Sequence, residues 1–508
     1  MHPVVRGLVA LPPHLKLLLV LPCCLFIASC LSSLVVIAFA VFGYNLRRRN
    51  SVRRRILLRT IGIEEYDDEH KHIVVGFFHP YWAIIFVPLA SRSLVEDSTW
   101  PRFTLLGQSI GSIFLALEGL KKGVIPDVWL DTMGYAFAYP FVKSLCRVPV
   151  GSYTHYPTIS TDMLKRVQSR QAGHTNTAVV ARSTILSAVK IVYYVIFAEL
   201  YSVCLRRADV LMVNSSWTRD HINHLLKPFG YRDDVENDVT QDAQNEVFAA
   251  TSATASTEPG SATLRERRST KPATSAAITT GSRFQKSRIL YPPCDTTVLA
   301  RLPIEVRENL ILSVAQFRPE KEHEVQLKAF RKLLEGAPQY RHGAVRVELV
   351  LAGSVRNEED EARVTKLRAL AKDLSIEENV SFAVNVEYAE LVKLFGRASI
   401  GLHTMVDEHF GITVVEFQAA GLVPLVHASA GPLLDIVVPY DGMPTGFHAT
   451  NVQEFADKMR GILELDQHSL REMGRRARQN AVERFSTHEF EQGWLQAWKE
   501  LHSKARID

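Results

Sequence analysis

Two cations in the C-terminal half of the chain stand where a predicted strand meets a predicted helix. Arg318 and Lys321 follow Phe317, at the end of the apolar segment in VAQFRPEKEH. Cationic side chains and unpaired backbone N–H groups at the carboxyl end of a strand suit a phosphate ligand. They could also neutralise a departing diphosphate without a metal ion. The alternative is a solvated turn that carries an ordinary Arg–Glu–Lys surface pair.

Two carboxylates follow another predicted strand of the same half. Glu408 lies in the loop after that strand, and Gly411 opens a helix that carries Glu416, in LHTMVDEHFGITVVEFQAAG. Glycine lets a ligand approach the backbone, and the helix N-terminus offers unpaired N–H donors to an anion. Each carboxylate could accept hydrogen bonds from sugar hydroxyls. The spacing of the two glutamates is by itself only a weak indication of a ligand site. It becomes a strong indication because the pair lies two strands after Arg318 and Lys321.

The elements that must position these side chains are strands alternating with helices. In the second half, strands are predicted at 309–317, 345–354, 379–384, 399–405 and 423–428, and helices near 322–336, 358–374, 389–397, 412–420 and 451–464. In the first half, shorter strands are predicted at 72–78, 127–130, 148–153 and 209–214, with helical stretches such as 106–120 between them. This alternation predicts an α/β fold with two doubly wound, Rossmann-like domains whose ligand-binding strand ends face each other across a cleft.

Composition excludes several classes of function. A length of 508 residues allows two domains with further segments. The net charge of +5 owes much to six arginines at 47–55, so no domain-wide basic field of the kind that binds nucleic acid is present. The six cysteines include no Cys-x-x-Cys pair, which argues against a zinc site and favours reduced thiols in a cytosol-facing protein.

The N-terminal region predicts a membrane anchor. Residues 17–42 contain no charged side chain and are long enough to cross a bilayer as a helix. The competing interpretation is a cleaved signal peptide, whose apolar core is usually shorter. Because the arginine cluster follows the run, the positive-inside rule predicts a lumenal N-terminus at 1–16, a single span, a basic juxtamembrane segment at 43–70 and a cytosolic remainder. The basic segment also suits anionic membrane lipids.

Two further segments differ from the strand–helix pattern. Residues 185–205 are apolar but contain Lys190 and Glu199, which argues against a span. A buried helix is the favoured interpretation, and a membrane-facing helix that contacts a lipid acceptor is the alternative. Residues 231–286 are first acidic and then rich in Ser, Thr and Ala, so we expect a disordered surface insertion without a catalytic role.

Many of these segments resemble a known family. Glu408 and Glu416, with Arg318 and Lys321, resemble the donor site of retaining glycosyltransferases of family four. Longer motifs resemble, within it, the GDP-mannose-dependent α-1,2-mannosyltransferases that extend the dolichyl-diphosphate-linked oligosaccharide at the cytosolic side of the endoplasmic reticulum. These motifs are FFHPY (77–81), LVEDS (94–98), FTLLGQSIGSIF (103–114), DTMGYAFAYP (131–140), GSYTHYPTISTDML (151–164), VNSSWT (213–218), YPPCD (291–295), QFRPEKEH (316–323) and GLHTMVDEHFGITVVE (401–416).

The resemblance implies a GT-B fold and a role for each candidate residue. Arg318 and Lys321 would hold the donor diphosphate, Glu408 would contact the transferred mannose and Glu416 the ribose. The backbone of Phe410, Gly411 and Ile412 would line the sugar and the phosphates, and His155 in GSYTHYP would face the donor sugar from the first domain. The family uses GDP-mannose as donor without a metal or other cofactor, retains the anomeric configuration, and lets the departing phosphate take the acceptor proton.

One departure from the family concerns the first domain. In the family, the strand ending in HPY runs into a glycine-rich loop that opens a helix, whereas here Tyr81 is followed by WAIIFVPLASRS. About one helix-plus-strand crossover is therefore absent, although parallel strands need such a connection. Either the sequence is an incomplete translation or a splice form of an active enzyme, or the chain has impaired chemistry.

Sequence pattern and resemblance together define the expected organisation. The acceptor-side domain would occupy 71–295, the donor-binding domain 296–480, and a C-terminal helix 481–508. The expected partners are GDP-mannose, the dolichyl-diphosphate oligosaccharide, membrane lipids and other mannosyltransferases of the pathway, with no nucleic acid. The alternatives are a non-catalytic or impaired membrane-bound GT-B subunit that supports other transferases, and a family-four transferase with another acceptor.

Overall fold

A computed structural model of the chain describes residues 89–122, 126–159, 184–227 and 287–505, with the backbone alone for 184–189. The predicted anchor at 17–42 and the strand at 72–78 lie outside these residues. The same holds for the seam after Tyr81 and for the insertion at 231–286. In the part of the chain that is described, no helix is both long and apolar enough to cross a membrane.

The first domain contains a parallel sheet in the order β1-β2-β3-β4. Its strands are β1 (Trp129–Asp131), β2 (Val150–Thr154), β3 (Val210–Val213) and β4 (Arg288–Ile289). Every residue of β2 and β3 is buried, which matches the continuous apolar character expected of parallel strands covered on both faces. The three predicted strands in the described part of this half are therefore confirmed, and β4 was missed because only two residues pair.

Among the described residues, four helices cover this sheet and supply its core. They are α1 (Thr104–Lys122), α2 (Tyr139–Cys146), α3 (Thr184–Leu205) and α4 (Ser216–Leu226). Tyr139, Phe197 and Tyr201 are among the largest fully buried side chains. Helix α3 is the apolar segment at 185–205, and its inward face with Tyr194, Phe197 and Leu205 belongs to the core, as the favoured interpretation required.

The second domain contains six parallel strands in the order β10-β9-β8-β5-β6-β7. The strands are β5 (Glu308–Val314), β6 (Glu348–Gly353), β7 (Val380–Val384), β8 (Ala398–His403), β9 (Val423–His427) and β10 (Phe447–Ala449). The chain order reverses between β5 and its two neighbours β6 and β8, which is where ligands bind in open α/β sheets. All five strands predicted in this half are confirmed, and the short edge strand β10 was missed.

Helices alternate with these strands, and several of them begin at a capping side chain. They are α5 (Thr296–Leu299), α6 (His323–Gly336), α7 (Glu358–Asp373), α8 (Tyr388–Arg397), α9 (Ile412–Ala420), α10 (Val452–Leu463), α11 (Gln467–Phe485) and α12 (Thr487–Lys504). Asn357 and Asn451 accept hydrogen bonds from first-turn N–H groups of α7 and α10. Helix α9 ends at Gly421, whose φ of +80° is a conformation that side chains disfavour.

Several predicted boundaries differ from the observed ones by a few residues, among them the end of β5 and the start of the C-terminal helix. Strand β5 ends at Val314 rather than Phe317, because the chain turns towards β6 and only isolated bonds follow, such as Phe317 N to Ser354 O at 3.4 Å. The C-terminal helix begins at Thr487 rather than at 481. Residues up to Phe485 complete α11, and Ser486 then caps the first turn of α12.

The last helix returns to the first domain. Ala497 and Leu501 of α12 are buried in one cluster with Val128, Tyr153 and Met212 of the first sheet region. Lys504 Nζ also donates to the carbonyl of Asp209 at 2.9 Å. The C-terminus therefore completes the core of the domain that carries β1 to β4.

Candidate active site

The two predicted cations lie in a short 3-10 turn, Pro319–Lys321, which connects β5 to α6. Glu322 closes this turn with a φ of +53°, in the left-handed region. Thr404, just after β8, holds the turn in place because its Oγ1 donates to the carbonyl of Lys321 at 3.1 Å. Gln326 Nε2 in turn donates to that Oγ1 at 3.0 Å. The end of β8 therefore fixes the turn that carries Lys321.

Lys321 and Glu408 meet directly, although 87 residues separate them. Lys321 Nζ lies 2.6 Å from Glu408 Oε2 and 3.0 Å from Met405 Sδ. His403, the last residue of β8, places Nε2 at 3.2 Å from the same carboxylate oxygen. Since an ionised carboxylate only accepts, the imidazole is assigned as the donor. We call Lys321, His403 and Glu408 the ion cluster.

The ion cluster keeps Glu408 ionised. Burial would raise the pKa of this carboxyl, but the hydrogen bond and charge of His403 and then those of Lys321 outweigh it and lower the pKa to about 2. The Glu408 side chain is 15% exposed, so its charge is only partly screened by water. A fixed negative charge is thus placed at the carboxyl end of β8.

Arg318 does not join this cluster. Its guanidinium lies 3.7 Å from Glu320, and both side chains are more than a third exposed. Such an exposed ion pair contributes little stability, so the guanidinium can turn towards a ligand at small cost. For Arg318, the structure thus matches the alternative of a solvated turn with a surface ion pair. Of the two predicted cations, Lys321 is the one whose side chain contacts Glu408.

The loop after Glu408 presents backbone rather than side chain. Gly411 has a φ of +109° and precedes the first residue of α9, Ile412, whose side chain is 46% exposed. The ring of Phe410 points away into the core, between Tyr291 and Phe485. Gly431 N–H donates to the carbonyl of Glu408 at 2.9 Å and fixes the loop from behind. The structure therefore leaves N–H groups at the start of α9 beside the ion cluster.

Glu416 lies one helix turn further along α9 and has a different environment. Among the described residues, no hydrogen bond or ion pair reaches its carboxylate. Burial alone raises the pKa of Glu416 to about 7. A carboxyl that is held in the protein without a partner is suited to accept hydrogen bonds from a ligand. The two glutamates predicted as site residues are thus both present but in opposite electrostatic states.

His155 follows β2, on the opposite domain. Its ring packs edge-on against Tyr153 with centroids 4.6 Å apart. The residue is exposed, yet the protein atoms around its ring remove enough water to lower its pKa. The next residue, Tyr156, stacks on His409 at 4.2 Å, and His409 directly follows Glu408. This contact brings the end of β2 to the loop that carries the ion cluster.

Several residues of this cleft were not predicted from the sequence. His403 could have been found from its place at the end of a predicted strand, five residues before Glu408. The rings of Trp217 and His409 stack with centroids 4.9 Å apart. No local sequence pattern predicts that contact, because the two residues belong to different domains. Within the described ranges, no group of three or more His, Cys, Asp or Glu side chains is arranged to hold a metal ion.

Comparisons with known families agree with this geometry. Residues 82–226 match the family described as ALG11 mannosyltransferase N-terminus. Residues 296–481 match the family described as glycosyl transferases group 1. The second match contains Arg318, the ion cluster and Glu416, and the first contains His155.

Solved structures support the fold. The chain is similar to an α,α-trehalose 6-phosphate synthase from Burkholderia multivorans, with a TM-score of 0.54 and 12% identity over 80% of this chain and 78% of that one. A UDP-forming α,α-trehalose-phosphate synthase from Burkholderia xenovorans gives a TM-score of 0.51 and 13% identity over 79% and 80%. At these identities the likeness concerns the fold alone, which is GT-B with two parallel-sheet domains.

Sequence relatives are much nearer. The chain is 40% identical over 445 residues to the GDP-Man:Man(3)GlcNAc(2)-PP-Dol alpha-1,2-mannosyltransferase of Mus musculus, covering 87% of this chain and 78% of that protein. It is 40% identical to the enzyme of the same name from Homo sapiens, covering 84% and 75%. With that from Dictyostelium discoideum it shares 36% identity over 82% and 72%. With its glycosyltransferase domain and its ion cluster, the chain belongs to this family of α-1,2-mannosyltransferases.

Proposed function

We propose that the chain transfers mannose from GDP-mannose, in α-1,2 linkage, to a dolichyl-diphosphate-linked Man(3)GlcNAc(2) oligosaccharide during assembly of the N-glycan precursor. The observation that carries this proposal is the 40% identity, over 87% of the chain, to a mouse enzyme whose name gives that donor, linkage and acceptor. The ion cluster adds physical support, because it places one cation and one fixed anion where a sugar diphosphate would bind.

On the donor side, the diphosphate of GDP-mannose would compete with Glu408 for Lys321. Lys321 Nζ already lies 2.6 Å from the Glu408 carboxylate. A phosphate oxygen that approaches Lys321 would therefore share this ammonium group with Glu408. Arg318 would swing from Glu320 to the same phosphates. As the bond from the anomeric carbon to the phosphate breaks, both cations would stabilise the growing charge on GDP, and we propose that no metal or other cofactor is needed for this step.

The glutamates would divide the recognition of the donor. Glu408, held by the ion cluster, would accept hydrogen bonds from the mannose hydroxyls. Glu416 would accept from the ribose, which would provide the hydrogen-bond donors that the described protein does not give it. The backbone of Phe410, Gly411 and Ile412 would line the sugar and phosphates, because the helix that opens there leaves N–H groups for an anion.

The first domain would supply the acceptor side. His155 would face the donor sugar, next to the contact between Tyr156 and His409. The acceptor hydroxyl oxygen would form the new bond to the anomeric carbon while the departing phosphate oxygen takes its proton. Bond formation on the face that the phosphate leaves would retain the anomeric configuration.

A membrane position fits both the sequence and helix α3. Opposite its buried face, α3 exposes an apolar stripe of Val192, Val195, Ile196, Leu200 and Val203. The spacing of three and four residues puts these side chains on one face. We propose a single-pass protein of the endoplasmic-reticulum membrane, anchored by 17–42 with its catalytic part in the cytosol and with the α3 stripe against membrane lipids. Protease added to sealed microsomes should digest everything beyond Arg55, and a protected catalytic half would refute this topology.

The proposed reaction is tested in cells that lack the endogenous enzyme, by profiling the lipid-linked oligosaccharides. We would express the chain, a version with a glycine-rich crossover restored after Tyr81, and the restored version with Glu408→Gln as the matched inactive control. Extension of the Man(3) acceptor by the restored version, and weaker extension by the chain itself, is expected. Accumulation of the Man(3) species in every case would contradict the proposal, and retained GDP binding would then favour the non-catalytic subunit.

A further inference from the structure

A buried carboxylate joins the two domains beside the candidate active site. Asp435 is 1% exposed and lies in the short π-helical turn Pro432–Ile436 of the second domain. Its Oδ2 accepts from the backbone N–H of Ser216 at 2.9 Å, and its Oδ1 from the Ser216 hydroxyl at 2.6 Å. Tyr291 Oη donates to the same Oδ1 at 2.9 Å. Ser216 belongs to the first domain and is 219 residues away in sequence.

The partner of Asp435 is the start of helix α4. Ser215 caps this helix with its own hydroxyl, which accepts from Thr218 N–H. The Ser216 N–H points out of the first turn and lacks an intrahelical acceptor, as first-turn N–H groups do. A carboxylate at this position completes the hydrogen bonding of the helix start and is favoured by its dipole.

The turn that carries Asp435 also supports the loop of Glu408. Gly431 N–H donates to the carbonyl of Glu408 at 2.9 Å, and Ser429 Oγ accepts from Asp407 N–H at 2.8 Å. A side chain at 431 would meet the carbonyl oxygen of Phe410 at 2.5 Å, so the two segments are in backbone contact. The segment 429–436 therefore connects α4 of the first domain to the donor-side loop of the second.

The same turn is fixed within the second domain. Arg484 of α11 donates to the carbonyl of Asp435 at 2.8 Å. Removal of Ser216 from the carboxylate would therefore release the first domain from the turn while the turn stays attached to its own domain. Burial raises the pKa of Asp435 despite the bonds from Ser216 and Tyr291, so loss of a donor leaves a charge that is costly to keep buried.

We propose that Asp435 and Ser216 form an interdomain latch, a pair of positioning residues that holds the first domain against the loop carrying Glu408. The contacts of the latch are present without substrate. Only its expected effect on the reaction rate rests on the proposed function. It would set the position of the acceptor-side domain relative to the donor sugar. Small errors in such positions lower the rate of reaction without a comparable loss of donor binding.

The test compares three variants of the full chain. Ser216→Ala removes the hydroxyl bond across the domains, and Ser216→Thr restores a hydroxyl. Tyr291→Phe removes a bond to the same carboxylate but leaves both bonds from Ser216 in place. We expect Ser216→Ala to lower kcat about tenfold with the Kd for GDP within about twofold of the wild-type value, as one charge-assisted bond is lost. Ser216→Thr should recover most of kcat, and Tyr291→Phe should lose less than Ser216→Ala.

Hydrogen–deuterium exchange provides a measurement that needs no transfer activity. In Ser216→Ala, amides in 405–411 and in the first turn of α4 should exchange faster, with a smaller change in Tyr291→Phe. Asp435→Asn offers one acceptor oxygen where the carboxylate has two, and should reproduce the pattern of Ser216→Ala. Equal effects of Ser216→Ala and Tyr291→Phe on kcat, or unchanged exchange at both sites in Ser216→Ala, would overturn the latch. Absent mannose transfer by both the wild-type chain and the version with the restored crossover would overturn the proposed function and leave the exchange test in force.

Discussion

Glu408 and Glu416 stand eight residues apart on either side of a helix start, and the protein treats them in opposite ways. Both are largely withdrawn from water. The pKa of Glu408 falls to about 2, because His403 and Lys321 outweigh the burial that would raise it. The pKa of Glu416 rises to about 7, because burial acts there without a partner. Similar burial therefore gives a fixed charge where the fold supplies hydrogen-bond donors and a positive charge, and a titratable group where it does not.

The difference suits two tasks in the proposed donor site. A fixed anion beside a cation is preorganised, so it can stabilise charge in a transition state without rearranging. A carboxyl without partners gains hydrogen bonds only when a ligand arrives, so it contributes to binding. The loop of Glu408 would thus act mainly on rate, and the helix of Glu416 mainly on affinity.

The largest effect is expected for Glu408→Gln. This change leaves Lys321 and His403 without their anion and would remove the proposed contact to the transferred sugar. We expect kcat for mannose transfer to fall by roughly 100- to 1,000-fold, or about 3–4 kcal/mol, with a much smaller change in the Michaelis constant for GDP-mannose. Glu416→Gln should instead raise the Michaelis constant. Steady-state kinetics of both variants measure this, and equal losses confined to the Michaelis constant would contradict the division of tasks.

A smaller effect is expected for the cations. Lys321→Ala should weaken GDP-mannose binding by roughly 1.5–3 kcal/mol, the range for hydrogen bonds to charged groups. It should also raise the pKa of Glu408, since one of its two hydrogen-bond partners, and the positive charge of Lys321, is lost. Arg318→Ala should fall at the lower end of that range, because its guanidinium is more exposed. Titration calorimetry measures both, and unchanged affinity in both variants would refute the phosphate assignment.

The two glutamates should also affect the pH dependence of folding stability in opposite directions. The lowered pKa of Glu408 contributes stability that is present above pH about 4.5 and lost as the pH falls towards 2. The raised pKa of Glu416 has the opposite sign, since the folded state loses stability as the pH rises from about 4.5 to 7. Glu416→Gln should therefore stabilise the protein at pH 8 by about 2 kcal/mol, after allowance for partial exposure. Denaturant unfolding of the wild-type protein and Glu416→Gln at pH 5 and pH 8 checks this. The variant should have the higher free energy of unfolding only at pH 8.

Much of the second domain could be predicted from sequence. Its strands are continuous apolar runs, and Gly411 marks the helix start that presents backbone N–H groups. What the sequence did not show is the set of partners of each side chain. The contact of Lys321 with Glu408 spans 87 residues, and the bond of Ser216 to Asp435 spans 219. Such pairs depend on how two strand ends or two domains meet, which no local pattern encodes.

The first domain was harder to predict for a related reason. Its strand β4 has two residues, and its core is completed by α12 from the far end of the chain. Helix α3 is apolar on two faces, so its sequence favoured a buried helix and left a membrane-facing helix as the alternative. The structure shows that one face is buried and that the other is exposed.

The most direct test of the contrast between Glu408 and Glu416 is the affinity for GDP-mannose measured by calorimetry at pH 6 and at pH 8. If binding needs the ionised form of Glu416, whose pKa is about 7, the wild-type protein should bind the donor about tenfold more weakly at pH 6 than at pH 8. Glu408→Gln should keep this dependence, and Glu416→Gln should abolish it. A flat profile in the wild-type protein, or the same slope in Glu416→Gln, would contradict the assignment of Glu416 as the titrating donor ligand.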